Sequence, residues 1–212
     1  MKDTYENNET IYGKYLPNME KILESLEKKL ESENNIILAE TGENGYEHLS
    51  GRIKADQSMR EKLAGKGFSI DSYSALRNVY DAIGLRIVCS FRDDVYKMAD
   101  KIRGFENTEV VQIKDYIKKE KPNGYRSYHM IIKIETPFED VDGKRPGEYF
   151  VEIQLRTIAM DTWAALEHKM RYKKNVPNQK ILGSELKRCA DELASCDLSM
   201  QTIRDLINSE NN

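Results

Sequence analysis

Apolar residues recur at Leu16, Met19, Ile22, Leu23, Leu26 and Leu30, with Glu and Lys between them. Steps of three and four put that set on one face of a helix, so the pattern predicts an amphipathic helix over residues 15–30. The same spacing returns at Val95, Ala99 and Ile102, and predicts a helix over 93–103. Elsewhere the period changes to two. In "YFVEIQLR" (149–156), Val151, Ile153 and Leu155 fall on one side of an extended chain and Glu152, Gln154 and Arg156 on the other. Segments 83–91, 109–117, 128–136 and 149–157 are rich in β-branched and aromatic residues and bounded by turn formers, which predicts four strands. "AETGENGYEHLSG" (39–51) reads as a loop from its three glycines, and "DVDGKRPGE" (140–148) as the connection between the last two strands. Past Asn178, Leu182, Leu186, Cys189, Leu193, Cys196, Met200, Ile203 and Ile207 follow steps of four and three, a helix with a heptad seam suited to packing on its own domain or to subunit association.

These elements define an α+β protein with a mixed sheet flanked by helices. Three parts follow: a helical N-terminal extension (1–38), a central domain (39–175) and a C-terminal helix for oligomerisation (176–212). A chain of 212 residues is long enough to bury a sizeable core. Its 33 basic and 36 acidic residues balance to −3, which argues against a protein that coats nucleic acid generally. Any basic surface must therefore be local. No apolar run is long enough to span a bilayer, and the first residues lack a secretory signal, so a cytoplasmic protein without membrane contact is expected. Cys89, Cys189 and Cys196 lack paired metal or redox spacing and read as core thiols.

Basic residues gather in two stretches. Residues 51–67 hold Arg52, Lys54, Arg60, Lys62 and Lys66, and lead through an expected helix to Asp81. Residues 114–129 hold Lys114, Lys118, Lys119, Lys121, Arg126 and His129, and lead through a strand to Glu152. Solvated charged faces are the ordinary fate of such runs. In an acidic protein two of them also suit polyanions, phosphates above all. Neither a Walker A loop nor a dinucleotide fingerprint is present. Phosphate chemistry would then rest on a divalent ion held by carboxylates, with Asp81 and Glu152 the candidate pair. Tyr125, after Gly124, is a candidate for stacking on a base or for plain packing.

"GRIK", "DAIGLRIVCSF", "KDYIKKEKPNGYRSYH" and "VEIQLRTIAMDTWAALEHKMRYK" occur in this order, and together closely resemble the synthetase domain of the RelA/SpoT family over roughly residues 45–175. The resemblance implies a nucleotidyltransferase-like sheet of about five strands and a stand-alone small alarmone synthetase. Its reaction would move the β,γ-pyrophosphate of ATP to the ribose 3'-hydroxyl of GDP or GTP, with GMP a further acceptor, releasing AMP and requiring Mg²⁺. By motif match, Arg52 and Arg86 would sandwich adenine, while Lys54 and Lys62, with Ser58, would hold the ATP phosphates. Asp81 would ligate magnesium, and Glu152 would share that ion or take the hydroxyl proton. Tyr125 would stack on guanine, and Lys114, Lys121, Arg126 and His129 would hold the acceptor's phosphates. Gln154 and Arg156 would orient Glu152 or the ribose, or support the structure. Trp163 reads as helix packing.

The resemblance also implies a homotetramer and a single-stranded RNA regulator. His48 and Asp161 stand where product-activated members offer an aromatic ring and an amide, which leaves product activation open, and Gly65 stands where a basic residue is common, which weakens the phosphate grip or shifts it to Lys66. Two other classes compete: an RNA-binding module using the same basic clusters, and another magnesium-dependent nucleotidyltransferase that releases pyrophosphate instead of AMP.

Overall fold

The computed structural model describes residues 10–171 and 178–210. A five-stranded mixed sheet has the order β1-β2-β5-β4-β3, built from β1 (His48–Ile53), β2 (Ile83–Cys89), β3 (Thr108–Asp115), β4 (Tyr128–Thr136) and β5 (Gly147–Thr157). β2 and β5 run parallel at its centre, and the other neighbours pair antiparallel. Helices are α1 (Leu16–Thr41), α2 (Asp56–Lys66), α3 (Arg92–Arg103), α4 (Ile158–Arg171) and α5 (Gln179–Glu210).

The alternation of β5 decides the architecture. Tyr149, Val151, Ile153 and Leu155 are buried, and pack with Leu85 and Ile87 of β2 and Met130 and Ile132 of β4 in one core. Burying each such side chain contributes roughly 1.5–3 kcal/mol. α1 and α3 cover this face of the sheet. Met19, Ile22, Leu26 and Leu30 of α1 join the same core, so the N-terminal helix is built into the domain rather than appended to it. It also runs to Thr41, further than its apolar spacing indicates, and ends where Gly42 takes a left-handed conformation at φ 77°.

β1 occupies residues expected to be loop. His48, Ser50 and Arg52 point outward and Leu49, Gly51 and Ile53 inward. Its inward face is small because a Cβ at Gly51 would lie 2.4 Å from the Glu27 carboxylate on α1. The alternation is real, but two glycines in the surrounding stretch hide it.

α5 divides the expected heptad seam. Leu186, Ala190, Asp197 and Gln201 face the domain and are buried, while Cys189, Cys196, Met200 and Ile203 of the seam are exposed. Near its start, Leu186 and Ala190 pack on Trp163 of α4, whose Nε1 donates to Leu186 O at 2.8 Å. Trp163 is therefore a packing residue, as its context indicates.

Candidate active site

The face of the sheet opposite α1 and α3 carries the second half of each alternation. In register across it lie Arg52 and Gly84, Gly84 and Glu152, Arg86 and Gln154, and Gln154 and His129. Parallel pairing of β2 with β5 thus sets the residues of two distant motifs side by side. With Ser50, Gly51, Asp81 and Leu85, the first five of these residues line a cleft of about 280 Å³.

At one end of the cleft, Lys54 leaves β1 and Lys62 projects from α2, both onto Asp81 just before β2. Their ammonium nitrogens stand 3.0 Å and 2.7 Å from the same Asp81 oxygen. Burial pushes the Asp81 carboxyl up, but hydrogen bonds from Lys62 and Lys54 outweigh it and hold the pKa below the ordinary value. The other oxygen, Oδ1, is buried without a hydrogen-bond partner among the described residues. A buried carboxylate oxygen left unsatisfied is costly and invites a cation. Ser58 lies four residues before Lys62 on α2 and is exposed.

Tyr12 fixes this corner, although no pattern singles it out. It is buried, its hydroxyl donates to Lys54 O at 2.7 Å, and the neighbouring Ile11 amide donates to Asp56 Oδ1 in the first turn of α2.

At the other end, five side chains form a closed ring of hydrogen bonds. Gln154 Nε2 donates to Glu152 Oε2 at 2.9 Å, and Gln154 Oε1 accepts from Arg156 Nη2 at 2.7 Å. The same Nη2 donates to the Tyr125 hydroxyl at 2.8 Å, which lies 2.8 Å from His129 Nε2, and His129 Nδ1 stands 3.3 Å from Glu152 Oε1. His129 Nδ1 thus faces the carboxylate, and its Nε2 faces the Tyr125 hydroxyl. Burial raises the Glu152 pKa, yet the hydrogen bonds from His129 and Gln154, aided by the charges of His129 and Lys62, bring it down to about 2. Gln154 and Arg156 thus hold Glu152 directly or through one bond.

Tyr125 is already engaged by this ring. Lys121 Nζ stands 4.8 Å from its ring centroid and 4.6 Å from that of Tyr116, so a base stacking on that face would displace an ammonium. Lys114 pairs in register with His129 and is exposed. Arg126, expected at the acceptor's phosphates, turns to α5 instead: it donates to Ala190 O at 3.3 Å and Asp191 Oδ1 at 3.1 Å. The reason is the close approach of α5 to the loop. Gly124 has φ 88°, and a Cβ there would lie 2.5 Å from that of Ala190.

Arg52 and Arg86 stand on adjacent strands of the cleft, in diagonal positions of the register. Between Arg52 and Glu152 lies Gly84, which spacing alone did not mark. A Cβ there would meet protein atoms only at 3.9–4.0 Å, so it would fill the cleft rather than clash with the fold. A larger hollow, of about 1220 Å³, lies elsewhere, between α1, α3 and α5, and holds none of these residues.

Among the described residues no cluster of three or more His, Cys, Asp or Glu side chains forms a metal cage. A divalent ion in the cleft would therefore rest on Asp81, Glu152 and the substrate's own phosphates, a donor set of hard oxygens that fits Mg²⁺. Two carboxylates among cations on one face of a mixed sheet are an arrangement suited to phosphate chemistry.

Comparison with known proteins agrees. The family model described as "Region found in RelA / SpoT proteins" matches residues 51–177. GTP pyrophosphokinase YwaC of Bacillus subtilis is 39% identical over 185 residues, covering 86% of this chain and 85% of that protein. GTP pyrophosphokinase YjbM of the same organism is 32% identical over 195 residues, covering 91% and 88%. The crystal structure of small alarmone synthetase 1 from B. subtilis bound to its product pppGpp superposes with a TM-score of 0.80 at 31% identity, covering 92% of this chain and 96% of that one. Small alarmone synthetase 2 from B. subtilis gives 0.72 at 36% identity, covering 91% and 99%. The chain belongs to the RelA/SpoT family, and it matches its small members across most of their length. No described helix is long and apolar enough to cross a membrane.

Proposed function

We infer that the protein is a GTP pyrophosphokinase that makes (p)ppGpp: the 3'-oxygen of GDP or GTP attacks the β-phosphorus of ATP, and AMP leaves. The observation that carries this reading is the pairing of Gly84 with Glu152, which sets the Asp81, Lys54 and Lys62 cluster and the Glu152 ring on one cleft. Relatives that share the fold are named for this reaction or were crystallised with its product.

In this reading Lys54 and Lys62 exchange Asp81 for the ATP phosphates, and Arg52 and Arg86 take the two faces of adenine. Asp81 and Glu152 would hold Mg²⁺, which would supply neutralising charge for the transferred phosphoryl oxygens. Glu152 accepts the hydrogen bond of the 3'-hydroxyl, aims its oxygen and passes its proton on to water as the bond to the β-phosphorus forms and the bond to AMP breaks. A carboxyl with a pKa near 2 stores a proton poorly, which supports ion-holding and aiming over long-lived proton capture. Lys114, Lys121 and His129 take the acceptor's phosphates, and Tyr125 its base. Incubating the protein with ATP, Mg²⁺ and GDP or GTP tests this, with AMP and a 3'-pyrophosphorylated guanosine nucleotide as the expected products. Absence of both would overturn it.

Assembly and regulation extend the reading. The exposed Cys196, Met200, Ile203 and Leu206 on α5 support a homotetramer, tested by light scattering. Exposed Lys114, Lys118, Lys119 and Lys121 support a single-stranded RNA regulator, whose affinity would fall steeply with salt. Nucleotide substrates of this kind support a cytoplasmic enzyme.

A further inference from the structure

Asp161 sits in the first turn of α4, a helix capped by the Thr157 hydroxyl, which accepts from the Met160 amide at 3.2 Å. One of its oxygens, Oδ1, meets two guanidinium groups: Arg156 Nη1 at 2.8 Å and Arg86 Nη1 at 3.4 Å. The two arginines are unequally held. Arg156 also bonds Gln154, Tyr125 and Ser127. For Arg86, Asp161 is the one carboxylate within ion-pair reach among the described residues, and its Nε is buried without a hydrogen-bond partner. Burial, then the charge of Arg156, disfavours the charged form of Arg86, and Asp161 is the carboxylate that opposes them.

We infer that Asp161 is a positioning residue that holds Arg86 in place for the adenine of ATP and links that arginine to the Glu152 ring through Arg156. This rests on the reading of the cleft as a nucleotide site. A carboxylate shared by two guanidiniums fixes the plane of the less supported one, and a flat cation held in one plane loses less entropy when a base stacks on it. The continuous path runs Arg86, Asp161, Arg156, Gln154, Glu152. It joins the donor's base clamp to the carboxylate that aims the acceptor.

The consequence is asymmetric. Removing the Asp161 charge frees Arg86, whereas Arg156 keeps its other partners. The Asp161→Asn variant therefore weakens the donor site and spares the acceptor site. The test is calorimetric titration of α,β-methylene-ATP with Mg²⁺, and separately of GDP, into wild type, Asp161→Asn and Asp161→Glu. We expect Asp161→Asn to lose about fivefold in affinity for the ATP analogue and less than about twofold for GDP, with Asp161→Glu recovering part of the loss. In turnover, KM for ATP rises while kcat stays within about twofold.

Unchanged analogue affinity in an Asp161→Asn protein with wild-type melting overturns the inference. So does an equal loss for both nucleotides accompanied by a lower Tm, because that is a structural effect alone. A wild type that binds neither nucleotide is a different result, which removes the reading of the cleft itself.

Discussion

The two ends of the cleft achieve a fixed carboxylate by opposite means. At the donor end, Asp81 is gripped by two ammonium groups on flexible stems, and one of its oxygens is left without a partner. At the acceptor end, Glu152 belongs to a closed ring in which each side chain donates to or accepts from its neighbours. The first arrangement exchanges partners readily, which suits a site whose lysines must turn from protein to phosphate. The second is rigid, which suits aiming a single hydroxyl. What supports each end differs too. Tyr12 and the start of α2 lock the donor corner to the domain core, while α5 presses on the loop that carries Tyr125.

The largest break in this comparison comes from the carboxylates themselves. Glu152→Gln keeps the shape of the ring and removes charge, and should lower kcat by about 10³-fold with melting and circular dichroism unchanged. Retained activity would remove Glu152 from the chemistry. Next in size is Gly84→Ala. Its Cβ occupies the cleft without clashing with the fold, so kcat/KM for ATP should drop roughly 10-fold at unchanged Tm. A normal rate in that variant would mean that substrate does not lie against Gly84.

Smaller effects sharpen the role of α5. Gly124→Ala combines a strained φ with the approach of Ala190, and should cost about 1–3 kcal/mol in urea denaturation while raising KM for the guanosine nucleotide more than for ATP. Equal changes in both KM values would contradict a selective link between α5 and the acceptor end. The smallest concerns Asp197, buried on α5 and hydrogen-bonded by the Thr157 hydroxyl. Burial raises its pKa despite that bond. A carboxyl with a raised folded pKa opposes folding when ionised, and the penalty fades as pH falls through that pKa. Asp197→Asn should therefore gain about 1 kcal/mol at pH 7, and the gain should shrink on acidification. A gain independent of pH would contradict this origin.

Much of the active face was legible in the chain because strand period is local. Glu152, Gln154 and Arg156 share a side of β5 by alternation alone, and Lys62 follows Ser58 at helical spacing. The pairing of Asp81 with Lys54 and Lys62 is tertiary, and no spacing in the chain marks it. β1 is masked in the sequence because its inward positions include Gly51, where a Cβ would meet the Glu27 and Leu23 side chains of α1. Arg126 reads as one more cation of a basic run, and nothing local shows that α5 returns to claim it. Tyr12 and Gly84 carry no pattern at all. One supports a backbone carbonyl from a distance, and the other matters for the side chain it lacks. The α5 seam misleads for a related reason, since the domain offers polar partners such as Thr157 and Asp93, and draws Asp197 and Gln201 inward.

The central claim is that a pyrophosphoryl group leaves ATP intact, and its most direct measurement follows the β-phosphorus. With ATP labelled at the β position, Mg²⁺ and GDP or GTP, the account predicts that the label moves quantitatively to the guanosine product, with one unlabelled AMP released for each labelled product. Label retained in ADP, as in transfer of the γ-phosphoryl group alone, or released as free pyrophosphate, would contradict it.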